Sequence, residues 1–526
     1  MQYDALIIGA GHNGLVCAWY LARAGLKTRV VESLPVVGGA AVTEEFCPGF
    51  RNSVAAYTVS LLQPKIISEM ELARHGLQIV PRPMDNFLPV DDDNYLLLGG
   101  DLASRQNAIA RFSPGDAAML PEYQESLEQV AGLFRSLLLK TPVNAGGGIN
   151  DLFRIFRDAG LLRKLGLAGQ RNLLKYLFTS AGDILDNWFE SGPIKAILGF
   201  DSIVGTFASP YTPGSGYVLL HHVIGEVNGR KGAWGHAIGG MGSITRAMAG
   251  ACLSLGVEIS TATPVQKVLV ENGKATGVVL ENGDVIHARR VVSNLNPKLL
   301  YTRLIEPDVL EDEFLTHMQH WKCRSGSLRM NVALSELPDF TCLPGKEAKP
   351  HHGAGIIIGP DLQYMDQAYI DAKANGWSAR PVVELLIPST CDPTLAPKGM
   401  HVASLFCQHF TPTLPDGLSW DNVKEQVADL VINTVNDYAP NFRDAVLGRS
   451  ILTPLDLERR FGLIGGDIFH GALSLDQLYS ARPMLGYADY RGPVKNLYMC
   501  SSGTHPGGGV SGAPGYNAAH EIIKDT

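Results

Sequence analysis

The sequence predicts an α/β fold built from two interleaved domains. Two observations predict the first domain: strand–turn–helix patterns with clustered glycines stand at both ends of the chain, and three short strands lie between them near residues 264–293. A third observation predicts the second domain, because residues 102–200 follow a mainly helical pattern. Two later runs, "RPVVELLIPST" and "GMHVASLFCQHF", have the apolar, β-branched content of strands.

The first glycine cluster has the spacing of a dinucleotide-binding turn. Gly9, Gly11 and Gly14 form GxGxxG within "YDALIIGAGHNGLVCAWYLARAGLKTRVVES", between an apolar strand and a helical pattern that leads to a second strand. This is the β–α–β context of a Rossmann-type domain. The first glycine permits a tight turn, the second lets backbone N–H groups reach a pyrophosphate, and the third lets helix and strand pack closely. His12 and Asn13, inside the motif, belong to the predicted cofactor site.

An acidic residue ends the second strand of this unit. Glu32 stands where a carboxylate accepts hydrogen bonds from an adenosine ribose and repels the 2′-phosphate of NADP, so FAD and NAD remain. "LPVVGGAAVTEE" adds Gly38 and Gly39, a second close backbone approach that many flavoproteins show. The three-strand run, entered at Val265, is typical of the meander beside the adenine in FAD domains. With Ser33, these residues predict a noncovalent FAD site.

The second glycine cluster is "GTHPGGGVSGAPG", residues 503–515. It is not a nucleoside-triphosphate loop, because the spacing Gly-x4-Gly-Lys-Ser/Thr is absent. The stretch follows the apolar run "NLYMC" and precedes the helical run "YNAAHEII", which predicts a strand, a turn and a helix. So much bare backbone indicates a close ligand.

Several long strings together resemble one known family. "GAGHNGLV", "GGAAVTEE", "SPYTPGSGYVLLHHV" and "SSGTHPGGGVSGAPGYNAAH" are similar to the FAD-dependent phytoene desaturase-like oxidoreductases, relatives of the carotenoid desaturases and isomerases and of retinol saturase. The resemblance runs from about residue 3 to about residue 523. It implies that the second glycine cluster holds the flavin end of FAD. By this resemblance Gly503 and Thr504 approach the ribityl chain and pyrophosphate, and Val510, Ser511 and Gly512 open a helix facing the flavin N1 and C2 carbonyl.

The resemblance also places small residues along the flavin ring. Ala55 and Ala56 in "NSVAAYTVS" match that position. Ala40 is a departure, since many relatives have arginine after the paired glycines and use it to hold phosphate or flavin. No second GxGxxG stands in strand context, so NADH and NADPH have no predicted site.

The cofactor segments divide the chain between the two domains. Residues 1–75, 215–300 and 485–526 are assigned to the FAD-binding domain. Residues 76–214 and 301–484 are assigned to a substrate domain, expected to be a mixed sheet roofed by helices, with a helical insertion at about 102–200.

Composition narrows the class of protein and its compartment. The chain has 526 residues, 45% of them apolar, and a net charge of −8, which argues against a nucleic-acid partner. The eight cysteines include no CxxC pair, so buried thiols in a reducing compartment are expected. A strand starts soon after residue 1, which predicts no signal peptide. We expect a cytoplasmic bacterial protein, or one on the mitochondrial matrix side if a eukaryotic chain has been processed, with homo-oligomerisation left open.

Histidines are the other chemical candidates. None has HExxH or similar spacing, so no metal is predicted. His470 in "GGDIFHG" and His505 beside the second glycine cluster lie in segments that the resemblance places near the flavin. Each is a candidate general acid or base, with a hydrogen-bonded structural role as the alternative.

One segment suggests a membrane contact. Residues 151–180, "DLFRIFRDAGLLRKLGLAGQRNLLKYLFTS", carry six basic and two acidic residues among leucines and phenylalanines. Such a stretch is either a basic amphipathic surface for a membrane or an ordinary helix pair with a solvated basic face.

The predicted function is an FAD-dependent oxidoreductase that dehydrogenates an apolar, lipid- or isoprenoid-like substrate. Three alternatives stay open: a redox-neutral flavin isomerase, an amine oxidase, and a flavin-binding regulatory or scaffold protein with little turnover.

Overall fold

The computed structural model describes residues 2–345 and 347–526. Its strands, numbered in chain order, are β1 Ala5–Ile8, β2 Thr28–Val31, β3 Thr43–Cys47, β4 Phe50–Ser53, β5 Ile79–Pro81, β6 Asn86–Pro89, β7 Tyr95–Leu98, β8 Glu226–Val227, β9 Arg230–Lys231, β10 Gly235–Ala237, β11 Glu258–Ser260, β12 Val265–Glu271, β13 Lys274–Leu280, β14 Val285–His287, β15 Val291–Ser293, β16 Ser327–Leu334, β17 Gly355–Ile358, β18 Trp377–Leu386, β19 His401–Phe410, β20 Val446–Leu452 and β21 Leu497–Met499.

The α-helices are α1 His12–Arg23, α2 Pro64–Glu69, α3 Leu102–Ala110, α4 Pro114–Leu137, α5 Ile149–Lys164, α6 Gly166–Phe178, α7 Ala181–Trp188, α8 Gly192–Phe200, α9 Ser215–Val223, α10 Gly242–Ser254, α11 Pro297–Leu299, α12 Asp312–Gln319, α13 Leu362–Asn375, α14 Trp420–Asn436, α15 Phe442–Ala445, α16 Pro454–Phe461 and α17 Ala513–Lys524. None of the helices in the described ranges is long and apolar enough to cross a membrane.

A parallel five-stranded sheet, in the order β11-β2-β1-β15-β21, forms the first layer. β1, β15 and β21 are short, almost wholly apolar and buried, as expected for parallel strands that are covered on both faces. In β1, Ala5 and Ile7 pack into the core beneath α1, α10 and α17, whereas Leu6 and Ile8 pack against the meander β12-β13-β14. The predicted Rossmann-type architecture is confirmed.

The first helix begins earlier than the apolar pattern predicts. The helical pattern after the glycine motif runs from Leu15 to Ala24, whereas the helix itself starts at His12, with Gly11 as its cap in extended backbone (φ −68°, ψ 167°). The turn residues therefore belong to the helix amino terminus.

The second layer is a mixed seven-stranded sheet in the order β20-β16-β19-β18-β17-β6-β7, parallel only between β17 and β6. Neighbouring residues of β6 point to opposite faces: Phe87 packs toward α14, and Leu88 packs under the helices α4 to α9. The expected helix-roofed mixed sheet is confirmed. The limits given above for the two domains stay predictions.

Candidate active site

A cavity of about 550 Å³ lies where the strands of the parallel sheet end. Its wall includes Ile8 at the end of β1, Glu32 after β2, Asn294 after β15 and Ser502 after β21. The carboxyl ends of parallel strands form the usual ligand crevice of such a sheet. The cavity continues past these strand ends to aromatic side chains.

Two glycine turns form a wall of backbone along this cavity. Gly38 N–H donates to the Ala10 carbonyl over 2.9 Å, and Gly38 pairs with Gly11 as an isolated bridge. A Cβ added at Gly39 would lie 3.6 Å from the Gly11 Cα. The turns are therefore packed backbone to backbone, and a ligand in the cavity meets main-chain groups and the amino terminus of α1.

Gly14 does not line the cavity, but its missing side chain lets the backbone wall pack closely. A Cβ added there would fall well inside the 3.0 Å that Cβ atoms keep from other atoms, against the Gly9 carbonyl oxygen. The same Cβ would lie 3.1 Å from Asn294 Nδ2. The third glycine of the motif thus lets α1 sit directly on β1, as the sequence predicts.

Glu32 presents a buried carboxylate to the cavity. It is 5% exposed; Oε2 accepts from Ala10 N–H over 2.7 Å, and Oε1 accepts from Leu34 N–H over 2.9 Å and from the Ser33 hydroxyl over 3.2 Å. These neutral donors fix the carboxylate, and Oε2, which among the described residues accepts only from Ala10 N–H, keeps acceptor capacity for a further donor.

Most of the predicted site residues line the cavity. They are Gly9, Gly11, His12, Asn13, Glu32, Ser33, Gly38, Gly39, Ala40, Ala55, Ala56, Val265, His470 and Val510. Arginine is absent at position 40, and the arginines that line the cavity are Arg303, which pairs with Glu458 over 3.3 Å, Arg459, and Arg460, which pairs with Glu44.

The other predicted residues of the second glycine cluster lie behind the wall. Gly503 packs against Pro297, and the Thr504 hydroxyl donates to the Ser501 carbonyl over 2.8 Å. The Ser511 hydroxyl accepts from Ala513 N–H over 3.2 Å. Ser502 and Gly509 line the cavity in this region instead.

Gly512 caps the carboxyl-terminal helix. Its φ of +73° is in the left-handed region that favours glycine, and α17 follows it directly. The helix therefore begins where the sequence predicts. Of Val510, Ser511 and Gly512, which precede it, Val510 lines the cavity.

Orphaned polar atoms show that the cavity suits a hydrogen-bonding ligand. His12 Nε2 and Asn13 Oδ1 are buried in the cavity wall without a protein partner. Buried polar atoms cost free energy unless they are paired, so their pairing with a bound group is expected. Together with the backbone wall and the Glu32 carboxylate, these atoms fit the pyrophosphate and ribose of FAD.

His470 lies in the wall, and a buried turn fixes it there. It has φ +58°, and the turn is held by the Asp467 carboxylate, which accepts from Phe469 N–H (2.8 Å) and Gly471 N–H (3.1 Å). Burial, with a smaller contribution from Arg482, lowers the pKa of His470 to about 4. The imidazole is therefore neutral near pH 7.

His505 does not reach the cavity. Its Nε2 donates to the Leu137 carbonyl over 3.0 Å, and its ring packs edge-on against Tyr479. Burial lowers the pKa of His505 to about 4. In this position it is a hydrogen-bonded structural histidine, the alternative left open above.

Arg482 joins the two segments that bear the predicted catalytic and flavin-binding residues. Its guanidinium is fully buried and donates to the carbonyls of Phe469 (2.9 Å), Gly471 (3.1 Å), Gln477 (2.9 Å) and Ser502 (2.8 Å). Burial lowers the pKa of Arg482 to about 10, so the group stays charged at neutral pH. Arg482 lies in "LERRFGLIGGDIFHGALSLDQLYSARP", a stretch similar to the family, but the sequence predicts no role for it.

The far end of the cavity is apolar and aromatic, and sequence reasoning missed it. Its wall consists of Tyr57, Leu61, Val204, Trp234, Ile468 and Phe469, with His221 and His222 from α9. These residues come from four distant stretches of chain and have the types of ordinary core residues. The strings "NSVAAYTVS", "VLLHHV" and "GGDIFHG" contain several of them, but no pattern in these strings predicts an apolar wall.

Charged groups near this end are turned away from the cavity. The Tyr57 hydroxyl donates to Glu384 Oε2 over 2.5 Å, Glu384 Oε1 pairs with Arg82 over 3.5 Å, and Arg329 lies 4.4 Å from the Tyr57 ring centre. Burial, followed by Glu384, raises the pKa of Tyr57 well above its usual value, so its hydroxyl stays protonated. Among the described lining residues the carboxylates are Glu32, Glu281 and Glu458, and none of them belongs to the aromatic end.

The cysteines do not line this cavity, but two of them meet. Burial and a hydrogen bond with the Cys17 thiol raise the pKa of Cys500. The pair is 483 residues apart in sequence, so spacing could not reveal it. A buried thiol with a raised pKa is a poor nucleophile. Within residues 2–345 and 347–526, no three His, Cys, Asp or Glu side chains are placed to hold a metal ion.

The sequence profile described as "Flavin containing amine oxidoreductase" matches residues 14–327. Pyridine nucleotide-disulfide oxidoreductase domain-containing protein 2 of Rattus norvegicus is 44% identical, over 100% of this chain and 94% of its own. One of the limonene dehydrogenase subunits of Castellaniella defragrans is 25% identical, over 100% and 95%. Prolycopene isomerase 1 of an Oncidium hybrid cultivar is 24% identical, over 100% and 84%.

Solved structures share the fold at low identity. An oxidoreductase from Methanosarcina mazei superimposes with a TM-score of 0.59 at 18% identity and covers 99% of both chains. Cyclohexylamine oxidase from Brevibacterium oxydans superimposes with a TM-score of 0.57 at 16% identity, over 100% of this chain and 99% of its own.

Proposed function

Because the chain belongs to the family of flavin-containing amine oxidoreductases, we propose that it is an FAD-dependent oxidoreductase whose substrate is an apolar, lipid- or isoprenoid-like molecule that it dehydrogenates. Bound FAD supplies a two-electron acceptor for a hydride equivalent. The protein binds FAD, orients the substrate, excludes water and supplies the groups that hold protons.

The residues divide along the cavity. The α1 turn, Glu32 and Val265 hold the adenosine and pyrophosphate part of FAD. Ala55, Ala56 and Val510 lie further along the same cavity, where the family resemblance puts the flavin ring. The substrate then occupies the remaining aromatic end.

The character of that end carries the proposal. Leu61, Val204, Ile468 and Phe469 are aliphatic or aromatic, and the nearby Glu384 is engaged by Tyr57 and an arginine. These side chains suit an extended apolar molecule, while Ser60 Oγ and both ring nitrogens of His221, which also line the cavity, have no protein partner among the described residues. A cationic amine would find no carboxylate among the described residues of this wall. The similarity to a limonene dehydrogenase also supports an apolar substrate.

Dehydrogenation of a C–C bond removes a hydride and a proton, and the proton needs an acceptor. His470 is the candidate, because its neutral imidazole lies in the wall and its buried Nδ1 has no partner. With a pKa near 4 it is a weak base, so we expect it to accept a proton only from an acidified C–H bond.

A redox-neutral isomerase is the second candidate. The full-length similarity to prolycopene isomerase 1 favours it, and the same apolar wall would suit its substrate. Such an enzyme needs its FAD reduced beforehand and leaves it reduced after turnover.

Anaerobic mixing of the FAD-loaded protein with defined donors tests the proposal. We expect a cyclic monoterpene or a carotenoid to bleach the flavin absorbance, and cyclohexylamine, putrescine and NADPH to do so slowly or not at all. Rapid, saturable bleaching by an amine or by NADPH, with none by any apolar donor, would refute it. Conversion of an isomer only by pre-reduced protein would establish the isomerase.

A size-matched variant pair locates the substrate. Ile468→Phe narrows the aromatic end, whereas Ile370→Phe adds the same bulk at an exposed position on α13. We expect bleaching by apolar donors to slow at least tenfold in the first variant alone, with FAD content unchanged. Equal rates in both variants would place the substrate elsewhere.

The compartment and the assembly state belong to the proposal as well. We propose a cytoplasmic bacterial protein, or one on the matrix side of mitochondria if a eukaryotic chain has been processed. Light scattering after size exclusion would decide whether it forms a homo-oligomer.

A further inference from the structure

The helix pair α5–α6, residues 149–178, exposes an unusual amount of apolar side chain. Nine large apolar residues of the pair are between 40% and 71% exposed: Ile149, Leu152, Phe153, Ile155, Phe156, Leu162, Leu167, Leu174 and Phe178. Scattered exposed leucines are ordinary, but a contiguous set of this size marks an interaction surface.

The first helix of the pair, α5, exposes its apolar face and turns its ion-paired residues toward the protein. A surface helix normally faces the core with its apolar stripe and the solvent with its charges. In α5 the charges face the protein: Arg154 pairs with Asp151 (2.8 Å) and with Glu521 of α17 (3.2 Å), and Arg157 pairs with Asp158 (2.6 Å).

The inner face is tied down further. Arg157 also donates to the Tyr479 hydroxyl over 3.2 Å and to the Thr141 carbonyl over 3.3 Å. Asp151 accepts from Asn144 N–H over 2.8 Å. These bonds fix the helix so that Phe153 and Phe156, each 66% exposed, point outward. The orientation is therefore set by specific contacts and not by a missing core.

The outer face is also positively charged. Both acidic residues of the pair, Asp151 and Asp158, are used on the inner face. Arg163, Lys164 and Arg171 are exposed and make no ion pair within the described ranges. An apolar outer face with exposed cations therefore stands on a chain whose net charge is −8.

This combination fits the interfacial region of an anionic bilayer. Aromatic and leucine side chains enter the boundary between headgroups and acyl chains, and basic residues meet the lipid phosphates. A second copy of the chain fits less well, because a two-fold interface through this face would bring its unpaired cations against their own copies.

We propose that residues 149–178 dock the protein on the surface of an anionic lipid bilayer. The opposite side of the pair leads to the cavity: Leu177 of α6 packs with Tyr217 and Phe469, and Phe469 lines the aromatic end. The docked surface and the substrate end of the cavity are thus one packed layer apart. This inference goes beyond the proposed function, and its test requires no turnover.

Co-sedimentation of the FAD-loaded protein with vesicles tests it. We expect binding to vesicles of phosphatidylcholine mixed with phosphatidylglycerol, and much weaker binding to phosphatidylcholine alone. The double variant Phe153→Ser/Phe156→Ser should bind the mixed vesicles at least tenfold more weakly. The matched control Leu253→Ser/Leu447→Ser removes two comparably exposed apolar side chains elsewhere and should bind like wild type.

The charge contribution is tested separately. The triple variant Arg163→Gln/Lys164→Gln/Arg171→Gln should lose about 100-fold in binding to mixed vesicles, and added salt should mimic that loss. Hydrogen exchange of the wild-type protein should slow in residues 149–178 when mixed vesicles are added. FAD content and thermal midpoint should match wild type in every variant, because the changed side chains are exposed.

Three results would overturn the proposal. One is wild-type protein that binds neither kind of vesicle. Another is a Phe153→Ser/Phe156→Ser protein that binds as tightly as the control. The third is a wild-type dimer in solution that this double variant converts to a monomer, which would assign the face to a second copy of the chain.

Discussion

The close packing of α1 on β1 can be tested with one methyl group. Gly14→Ala places a Cβ against the Gly9 carbonyl oxygen, inside the 3.0 Å limit, with Asn294 Nδ2 at 3.1 Å. Because the carbonyl is backbone, the helix must move away from the strand. Gly132→Ala is the matched control: it adds the same methyl group in the interior of α4, where no atom lies within 4 Å of the new Cβ.

Gly14→Ala should lower the free energy of unfolding, and Gly132→Ala should raise it. Overpacking at Gly14 costs about 1 to 3 kcal/mol, whereas alanine for glycine at an unstrained helical site stabilises by about 0.4 to 1 kcal/mol. With an unfolding entropy of about 2.1 cal/mol/K per residue, a chain of 526 residues shifts its thermal midpoint by about 1 °C per kcal/mol. We expect the Gly14 variant without FAD to melt about 1 to 3 °C lower, and the Gly132 variant to melt up to about 1 °C higher.

FAD binding should separate the variants further. The displaced helix carries His12 and Asn13 in the cavity wall, so its N–H groups no longer meet the pyrophosphate correctly. We expect at least a tenfold rise in the FAD dissociation constant, which removes about 1.4 kcal/mol of ligand stabilisation at fixed FAD. Calorimetry with and without FAD, with titration of the apoprotein, measures both effects. A Gly14→Ala protein that binds FAD and melts like wild type would refute the packing argument.

Three further predictions concern buried polar groups. Glu32→Gln should weaken FAD binding by about 10- to 100-fold, since each charge-assisted hydrogen bond contributes about 1.5 to 3 kcal/mol; equal affinities in Glu32→Gln and the exposed control Glu271→Gln would show that the carboxylate is misassigned. Burial holds the pKa of His505 at about 4, below its unfolded value near 6.5, so the unfolded chain binds more protons in that interval and stability is lost as pH falls from 6.5 toward 4. His505→Gln should therefore show a smaller drop of thermal midpoint over this interval, and an identical drop would count against the assignment. Cys17→Ser and Cys500→Ser should each lower the thermal midpoint yet keep donor-dependent bleaching of FAD, and its loss in a folded, FAD-loaded variant would give the thiols a role in the chemistry.

The cofactor half of the cavity could be predicted from sequence because its chemistry restricts residue types. A backbone turn that touches a pyrophosphate needs glycine at fixed spacing, and a ribose partner needs an acceptor at the end of the next strand. These demands leave a local signature in Gly9, Gly11 and Glu32. Near the carboxyl end the predicted Gly503 packs on Pro297, whereas its neighbour Ser502 lines the cavity, a difference of one residue that no spacing rule contains.

The substrate half could not be predicted, because its residues satisfy no rule of that kind. Tyr57, Val204, Trp234 and Phe469 meet only through tertiary packing, and any of them would suit an ordinary core. The orientation of α5 was hidden for a similar reason. Its sequence has an apolar face and a charged face but does not show which of them meets the protein. That is decided by contacts with distant residues, such as the pairing of Arg154 with Glu521 and the bond from Arg157 to the Tyr479 hydroxyl, which leave the phenylalanines exposed.

Because the two parts of the cavity are built by different elements, substrate specificity can change among related proteins while FAD binding is kept. The backbone groups and the Glu32 carboxylate that we assign to FAD lie at the ends of the parallel strands, and their positions depend on the packing of α1 on β1. The wall that we propose for the substrate belongs to loops and helices over the other sheet, and Arg482 joins it to the second glycine cluster by donating to the Phe469 and Ser502 carbonyls. Side chains such as Val204 and Ile468 can therefore vary without disturbing the cofactor, whereas a change at Arg482 should disturb both. Relatives named for a dehydrogenase and an isomerase, each similar over the whole chain, are what this separation leads us to expect.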